Sequence, residues 1–362
     1  MTFGNPDATR YGAPPMVTTT TGDAKEPAST EPKAEKVEKV ETAPYREDDK
    51  LGPLGARVSA LHDPVELRGA LLQAFHEAVQ TAKDAVAAVD RSSTDAVHAA
   101  RKGLRRARAV LELVAGALPK SERKAVGKAI QEARRALSMV RDHAVAPETL
   151  GQLPLGDEDR ATAKRVLDNA AEALPAAQEI KQLLAESAAR AAAQGEALEA
   201  ALPAEIELDT VLDGIQNVYA EARRERRDGK RSKQSFHSWR RRSKELGYQL
   251  DFLCSHAGPR VHAIHSEIES LSDMLGPAVD LIMVREFLGT HNQGISGDEL
   301  EHLETAVDAQ LEDLMKHTRK AGRDTFSQKP KKFAKRIAKA IKRDLTPADD
   351  HDGGANGDAS AS

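Results

Sequence analysis

The chain has 362 residues, 40% hydrophobic and 30% charged, with a formal net charge of −4 and one cysteine, Cys254. That length can bury a substantial core, and a lone cysteine excludes an intramolecular disulfide framework and suits a reducing compartment. No apolar run approaches the ~20 residues of a membrane span, and the opening MTFGNPDATRYGAPP lacks the apolar segment of a secretory signal. The expectation is a cytoplasmic protein with no membrane partner.

Aromatic residues make up only 3% of a chain dominated by alanine, leucine, glutamate and arginine, which favours helices. No alternating β-branched run is long enough for a strand, so the predicted fold class is all-α. Residues 1–50, rich in Pro, Thr, Lys and Glu, cannot bury enough surface to offset ordering entropy and read as a disordered tail. A helix over 34–40 would find little there to pack against. Residues 346–362, PADDHDGGANGDASAS after Thr346, read as a second, acidic tail. Between them, 51–345 reads as one helical domain in two halves, about 51–203 and 204–345.

Punctuation places the helices. Asp63-Pro64 opens one that runs to about Asp90. Ser92, Ser93 and Thr94 offer caps for the next, which ends near Gly116. Leu118-Pro119 starts a third, expected to run through Ala136 to Arg141-Asp142 and to close before Pro147. Helices at about 157–173 and 175–201 follow, and Pro203 marks the midpoint. The second half repeats the plan: a helix over about 208–228, one around His237, a stop and restart at His256-Ala-Gly-Pro259, another over 295–317, and a last basic helix opened by Pro330. Such self-similarity predicts two bundles related by pseudo-symmetry.

Two segments organise the chain. In VHAARKGLRRARAVLELV (97–114), His98, Arg101, Arg105 and Arg108 fall within an arc of about 80° on a helical wheel. Lys102 and Arg106 lie beside them, and Leu104, Ala107, Leu111 and Val114 lie opposite. In FHSWRRRSKELGYQLDF (236–252), His237, Arg240, Arg241 and Lys244 repeat the polar arc, and Phe236, Trp239, Leu246, Leu250 and Leu253 the apolar one. Each helix thus presents a histidine-headed cationic ridge backed by a core-forming stripe. Charge is segregated elsewhere too. Only Glu225 and Asp228 oppose the many bases between Arg223 and Lys244, and Asp324 alone opposes those between Lys316 and Arg343. Segregation of this kind attracts anions despite a negative total.

These segments resemble the CHAD family, the conserved histidine α-helical domain. His98, Arg101, Arg105, Arg106 and Arg108 match its H-x2-R-x3-R-R-x-R pattern. LSMVRD (137–142) and LGPAVD (275–280) look like its leucine-glycine-x-x-arginine-aspartate turns, so that Asp142 and Asp280 correspond. FHSWRRRSKELGYQLDFL is close to its second histidine helix, and QKPKKFAKRI to its terminal helix, so the resemblance covers roughly 51–345. Three positions depart from the pattern: Ser138 stands where glycine is expected, Gly247 where the first copy has Arg108, and Val279 where a polar residue is common. The resemblance implies paired bundles around a basic groove or pore that binds inorganic polyphosphate, and association with polyphosphate granules and their proteins. Some members are fused to a CYTH triphosphatase domain. The nearest match to its E-x-E-x-K signature here, Glu205-Ile-Glu207-Leu-Asp209, has aspartate in the lysine's place.

A phosphate polymer displays no sequence, so its affinity comes from cations that neutralise it and release counterions. Arginine suits that work through its forked, permanently charged head. The expected binding residues are His98, Arg101, Lys102, Arg105, Arg106, Arg108, Arg141, Arg223, Arg227, His237, Arg240, Arg241, Lys244, Lys331, Lys332, Lys335 and Arg336. A competing reading pairs Arg101, Arg105, Arg240 and Lys244 with internal carboxylates such as Glu112 and Asp251. His98 and His237 either donate to phosphate or brace the fold against Asp142 and Asp280. Arg223, Arg227 and the Lys331–Arg336 run either widen the basic surface or form ordinary solvated faces. Tyr248 is expected at the rim of the core. Cys254, His256, His262 and His265 fall close enough to raise zinc, although scattered polar groups around a turn fit as well. No nucleophile–base pair, glycine-rich phosphate loop or paired-acid signature appears. The function expected is therefore non-catalytic, without a cofactor or metal. Metal-dependent hydrolysis of polyphosphate or triphosphate is one alternative, and binding of a nucleic-acid backbone, disfavoured by the scarcity of aromatics, is another.

Overall fold

A computed structural model describes residues 53–229 and 232–345. Among the described residues there are thirteen helices and no strand: α1 (Leu54–Ala60), α2 (Pro64–Ala88), α3 (Ser93–Leu113), α4 (Lys120–Ala136), α5 (Ser138–Gly151), α6 (Asp157–Glu172), α7 (Ala177–Ala201), α8 (Leu208–Asp228), α9 (Lys233–Cys254), α10 (Pro259–Met274), α11 (Gly276–Thr290), α12 (Gly297–Thr325) and α13 (Pro330–Leu345). The two tails and the segment 34–40 lie outside the described residues.

Local chemistry sets the boundaries. Asp63 accepts the backbone N–H groups of Val65 and Glu66, both at 2.9 Å, and Pro64 takes the first helical position of α2. The two histidine helices are capped alike. Ser92 Oγ accepts from Asp95 N at 3.2 Å, and Ser232 Oγ from Ser235 N at 3.0 Å. Ser296 and Glu299 form a full capping box at the start of α12.

Three elements differ from the sequence reading. The expected third helix is two, broken at Leu137, whose backbone leaves the helical region, with Ser138 restarting the chain as α5. Its hydroxyl donates to the Arg135 carbonyl at 2.6 Å and so satisfies one of the carbonyls orphaned at the end of α4. The restarted helix then runs past Pro147 to Gly151, forgoing the one backbone bond the proline cannot donate. Helix α12 extends to Thr325, well beyond His317. The short α1 has no strong sequence signal; it packs on α13 and α2, and Arg57 on it donates to the Ser255 carbonyl at 3.2 Å.

The internal repeat is visible in the packing. Contacts α2·α3, α2·α7, α4·α7 and α3·α4 in the first half are matched by α8·α9, α8·α13, α10·α13 and α9·α10 in the second. The halves then meet through three self-paired contacts, α3·α9, α5·α11 and α6·α12, the pattern expected of a pseudo-two-fold axis. Burial follows the predicted stripes. Leu104, Ala107, Leu111 and Val114 on the first histidine helix, and Phe236, Trp239, Leu246, Leu250 and Leu253 on the second, are all buried. Trp239 sits edge-on to both Phe236 and Phe326. Burying these faces fixes which way the opposite, charged faces point.

Candidate polyanion-binding site

Because α3 and α9 pack against each other with their apolar faces inward, their cationic ridges line the space between the halves. Two adjoining cavities occupy it, of about 270 Å³ and 630 Å³. Arg101, Arg105, Arg141, Arg240, Lys244 and Tyr248 line both. His237, Arg108 and Arg241 line only the smaller cavity, and His98 and Lys102 only the larger. Since His98 and His237 head pseudo-equivalent helices, the two-fold relation puts one histidine on each side of the shared waist.

Residues from the helix breaks complete the walls. Arg141 and Asp142 face the smaller cavity because α5 turns away from α4 at Leu137. The matching break before α11 gives Asp280 to the larger one. At this second break, a Cβ on Gly276 would meet the Arg240 guanidinium at 3.7 Å, an ordinary contact, so a small residue leaves that head group room. Val279, at the position of Arg141, contributes an apolar wall with Ile282 and Met283.

The ion pairs divide the cations into two sets. Arg106 pairs with Asp251 at 2.9 Å and lies 5.9 Å from the centre of the Tyr248 ring. Glu112 takes Arg123 at 2.5 Å and Arg108 at 3.8 Å, and Arg108 also reaches Glu245 at 3.4 Å. Lys244 pairs with Asp273 at 3.0 Å. Glu112 and Asp251, the carboxylates best placed in sequence to neutralise the ridge, are thus engaged by Arg108, Arg123 and Arg106. Arg101, Arg105, Arg240 and Arg241 make no carboxylate ion pair among the described residues. Arg101 donates to the Arg134 carbonyl at 2.9 Å, Arg105 to the Arg101 carbonyl at 3.3 Å, and Arg240 Nε is buried without a partner.

The consequence is a cationic field that nearby acids compensate only in part. Burial, and then the Arg134 and Arg105 charges, push Arg101 down to about 9. Burial, and then Arg105 and Arg108, push Arg134 down to about 10. Arg240 and Arg241 are also lowered, chiefly by burial. Both histidines fall below the ordinary value: His98 by partial desolvation of its ring and then Arg105, His237 by desolvation and then Arg241. Each of these shifts opposes positive charge, burial first and neighbouring guanidiniums after it, with Asp280 partly offsetting it at Arg240 and Glu245 at Arg241.

Arg134 and Arg135 also line the smaller cavity, unpredicted by the sequence reading. They precede the LSMVRD turn, and their direction becomes clear only once the break at Leu137 is known. Other expected site residues lie apart. Arg106 is drawn off the ridge by Asp251, and Arg223 donates through Nε to the Phe326 carbonyl at 3.1 Å instead of facing either cavity. Arg227 is exposed on α8, and Lys331 is exposed on α13. Lys332, Lys335 and Arg336 line a separate groove on the α13 side. Around Cys254, the His256 and His262 rings bond the Phe252 and Cys254 carbonyls at 3.1 Å each. Among the described residues no three His, Cys, Asp or Glu side chains converge as a metal ion requires.

A family model for the CHAD domain matches residues 70–289, from within α2 to the end of α11. The chain belongs to that family. A crystal structure of the CHAD domain from the plant Ricinus communis shares its fold, with a TM-score of 0.54 at 18% identity, covering 74% of this chain and 93% of that one. No curated protein matches the chain. The matched region contains both histidine helices and both turns, whereas α12, α13 and QKPKKFAKRI lie beyond it. Among the described residues no helix is long and apolar enough to cross a membrane.

Proposed function

We propose that the paired cavities bind inorganic polyphosphate without chemical turnover. The observation that carries this reading is the set of guanidinium groups, Arg101, Arg105, Arg134, Arg240 and Arg241, gathered from both halves with no carboxylate partner among the described residues. Confining that much like charge is unfavourable unless an anion supplies the counter-charge. Successive arginines one turn apart, about 5.4 Å along the axis, suit repeating phosphates, and forked head groups suit pairs of phosphate oxygens.

Hydrolysis is the weaker reading. Magnesium chemistry requires clustered carboxylates, and among the described residues no three of the acids lining the cavities converge: Asp142 and Asp280 are engaged by Arg141, Asp273 by Lys244 and Glu245 by Arg242. Nucleic acid is disfavoured by the walls, where Tyr248 is the aromatic side chain present and bases would have little to stack on. The same reading associates the protein with polyphosphate granules. Calorimetric titration with long-chain polyphosphate at two salt concentrations tests it: tight binding that weakens steeply with salt is expected. Phosphate release in magnesium or manganese would favour the hydrolase, and preference for DNA at matched charge would favour nucleic acid.

A further inference from the structure

The two walls at the helix breaks are unequal, although the repeat would make them alike. Counting from the matched aspartates Asp142 and Asp280, α11 carries Val279, Ile282 and Met283 where α5 carries Arg141, Ala144 and Val145. The first half thus presents a guanidinium where the second presents hydrocarbon, and two larger apolar groups follow it. Positions 279, 282 and 283 share one face of α11. All three side chains line the smaller cavity and none lines the larger. Val279 and Ile282 are buried, so only their edges reach the cavity. Met283 is half-buried, and its unbranched thioether adapts to the shape it meets.

This apolar wall shares its cavity with Arg101, Arg105 and Arg240, the cations that continue into the larger cavity and make no carboxylate ion pair among the described residues. The smaller cavity therefore joins a hydrocarbon patch to a set of phosphate-binding forks. Arginine stems add further apolar surface beside the wall. An inorganic phosphate polymer is polar along its whole length and has nothing to bury there, so it leaves the patch wet. A ligand carrying both an anionic head and a hydrocarbon body would use both features.

We infer that the smaller cavity accepts an amphipathic phosphate ester, its diphosphate head on Arg101, Arg105 and Arg240 and its short aliphatic body against Val279, Ile282 and Met283. The inference rests on the reading of the cavities as an anion site and adds a second class of ligand to it. An aliphatic body fits better than a nucleobase, because branched and thioether side chains form the wall and Tyr248 is the aromatic residue lining this cavity. A volume of about 270 Å³ suits one short chain and excludes the paired acyl chains of a bilayer lipid.

The test is calorimetry of the full chain with methyl diphosphate and geranyl diphosphate, which carry the same head group, and with long-chain polyphosphate in parallel. With each buried methylene contributing about fourfold, wild type should bind the geranyl ester about tenfold or more tightly than the methyl ester. Its binding should also show the more negative heat-capacity change. Met283→Gln and Val279→Thr, each close in size to the residue replaced, should each lower the geranyl-to-methyl ratio by about threefold. Arg105→Gln with Arg240→Gln should weaken both esters and leave their ratio unchanged. Equal affinity for the two esters, or binding of neither while polyphosphate binds, would overturn the aliphatic subsite and leave the central reading standing. A geranyl advantage that survives both wall variants would place the chain elsewhere and overturn the assignment to this wall. Failure of both esters and of polyphosphate to bind would overturn the central reading and the subsite together.

Discussion

Arg141 of the first half reaches across the pseudo-two-fold axis to Asp280 of the second, at 3.0 Å, while its other terminal nitrogen bonds its own neighbour Asp142 at 3.2 Å. The repeat would ordinarily provide two such arginines, but Val279 occupies the equivalent position. One guanidinium therefore serves both aspartates and joins the two halves at the shared waist of the cavities. Arg141→Gln is expected to release two carboxylates into a site meant for anions and to lower stability by about 1–2 kcal/mol. Polyphosphate affinity should fall with it. In a double-mutant cycle with Asp280→Asn, the two changes should be non-additive in both melting temperature and affinity. Strict additivity would show that the crossing pair carries no coupling.

Arg134 provides a cleaner test of the charge argument, because its side chain has no bonded partner among the described residues while Arg105, Arg108 and Arg241 crowd it. Arg134→Gln should leave the ligand-free protein as stable as wild type, or raise its melting temperature by a few degrees through relief of repulsion. The stabilisation conferred by added polyphosphate should shrink. Melting curves with and without polyanion measure both effects.

The histidines predict a proton linkage. In the ligand-free fold both sit below the ordinary value of 6.5. The unfolded chain therefore takes up protons first as pH falls through about 6.5, and the fold loses stability until the folded-state values are passed. A bound polyanion favours the protonated rings and removes that penalty. Binding should thus consume protons and tighten as pH falls below about 7. Titrations in buffers of differing ionisation enthalpy should show the uptake in wild type. It should be lost in His98→Gln with His237→Gln.

A fourth prediction concerns how the first ridge is held. A Cβ on Gly103 would come within 2.4 Å of the Ala78 backbone oxygen, so only glycine permits this approach of α3 to α2. Gly103→Ala should force the helices apart, cost about 1–3 kcal/mol, and displace Arg101 and Arg105. Thermal melting would record the loss. Affinity should drop even though no charge has been removed, and unchanged binding would show that the ridge tolerates a shift.

Much of this was legible in the sequence, for identifiable reasons. The apolar stripes of both histidine helices have a strict helical period, so Leu104, Leu111, Trp239 and Leu250 revealed which face is buried and hence which faces the cavity. Caps such as Asp63 and Ser232 marked helix starts through short-range hydrogen bonds. What stayed hidden depended on tertiary direction. The break at Leu137 has no proline or glycine to announce it, only the likeness of LSMVRD to a family turn, and it sets where Arg134, Arg135 and Arg141 point. Arg106 and Arg105 are adjacent in the same motif, yet only Arg106 meets a carboxylate, because Asp251 approaches it from α9. The Lys331–Arg336 run is as basic as the central ridge, and only the packing of α13 against α10 assigns Lys332, Lys335 and Arg336 to a separate groove.

The central claim is tested most directly by measuring polyphosphate affinity of the Arg105→Gln, Arg240→Gln double variant beside wild type, with helical content and melting temperature as controls. Loss of two charge-assisted contacts at the shared waist should weaken binding by about two orders of magnitude or more while the fold persists. A folded double variant that binds as tightly as wild type, with the same salt dependence, would contradict the account.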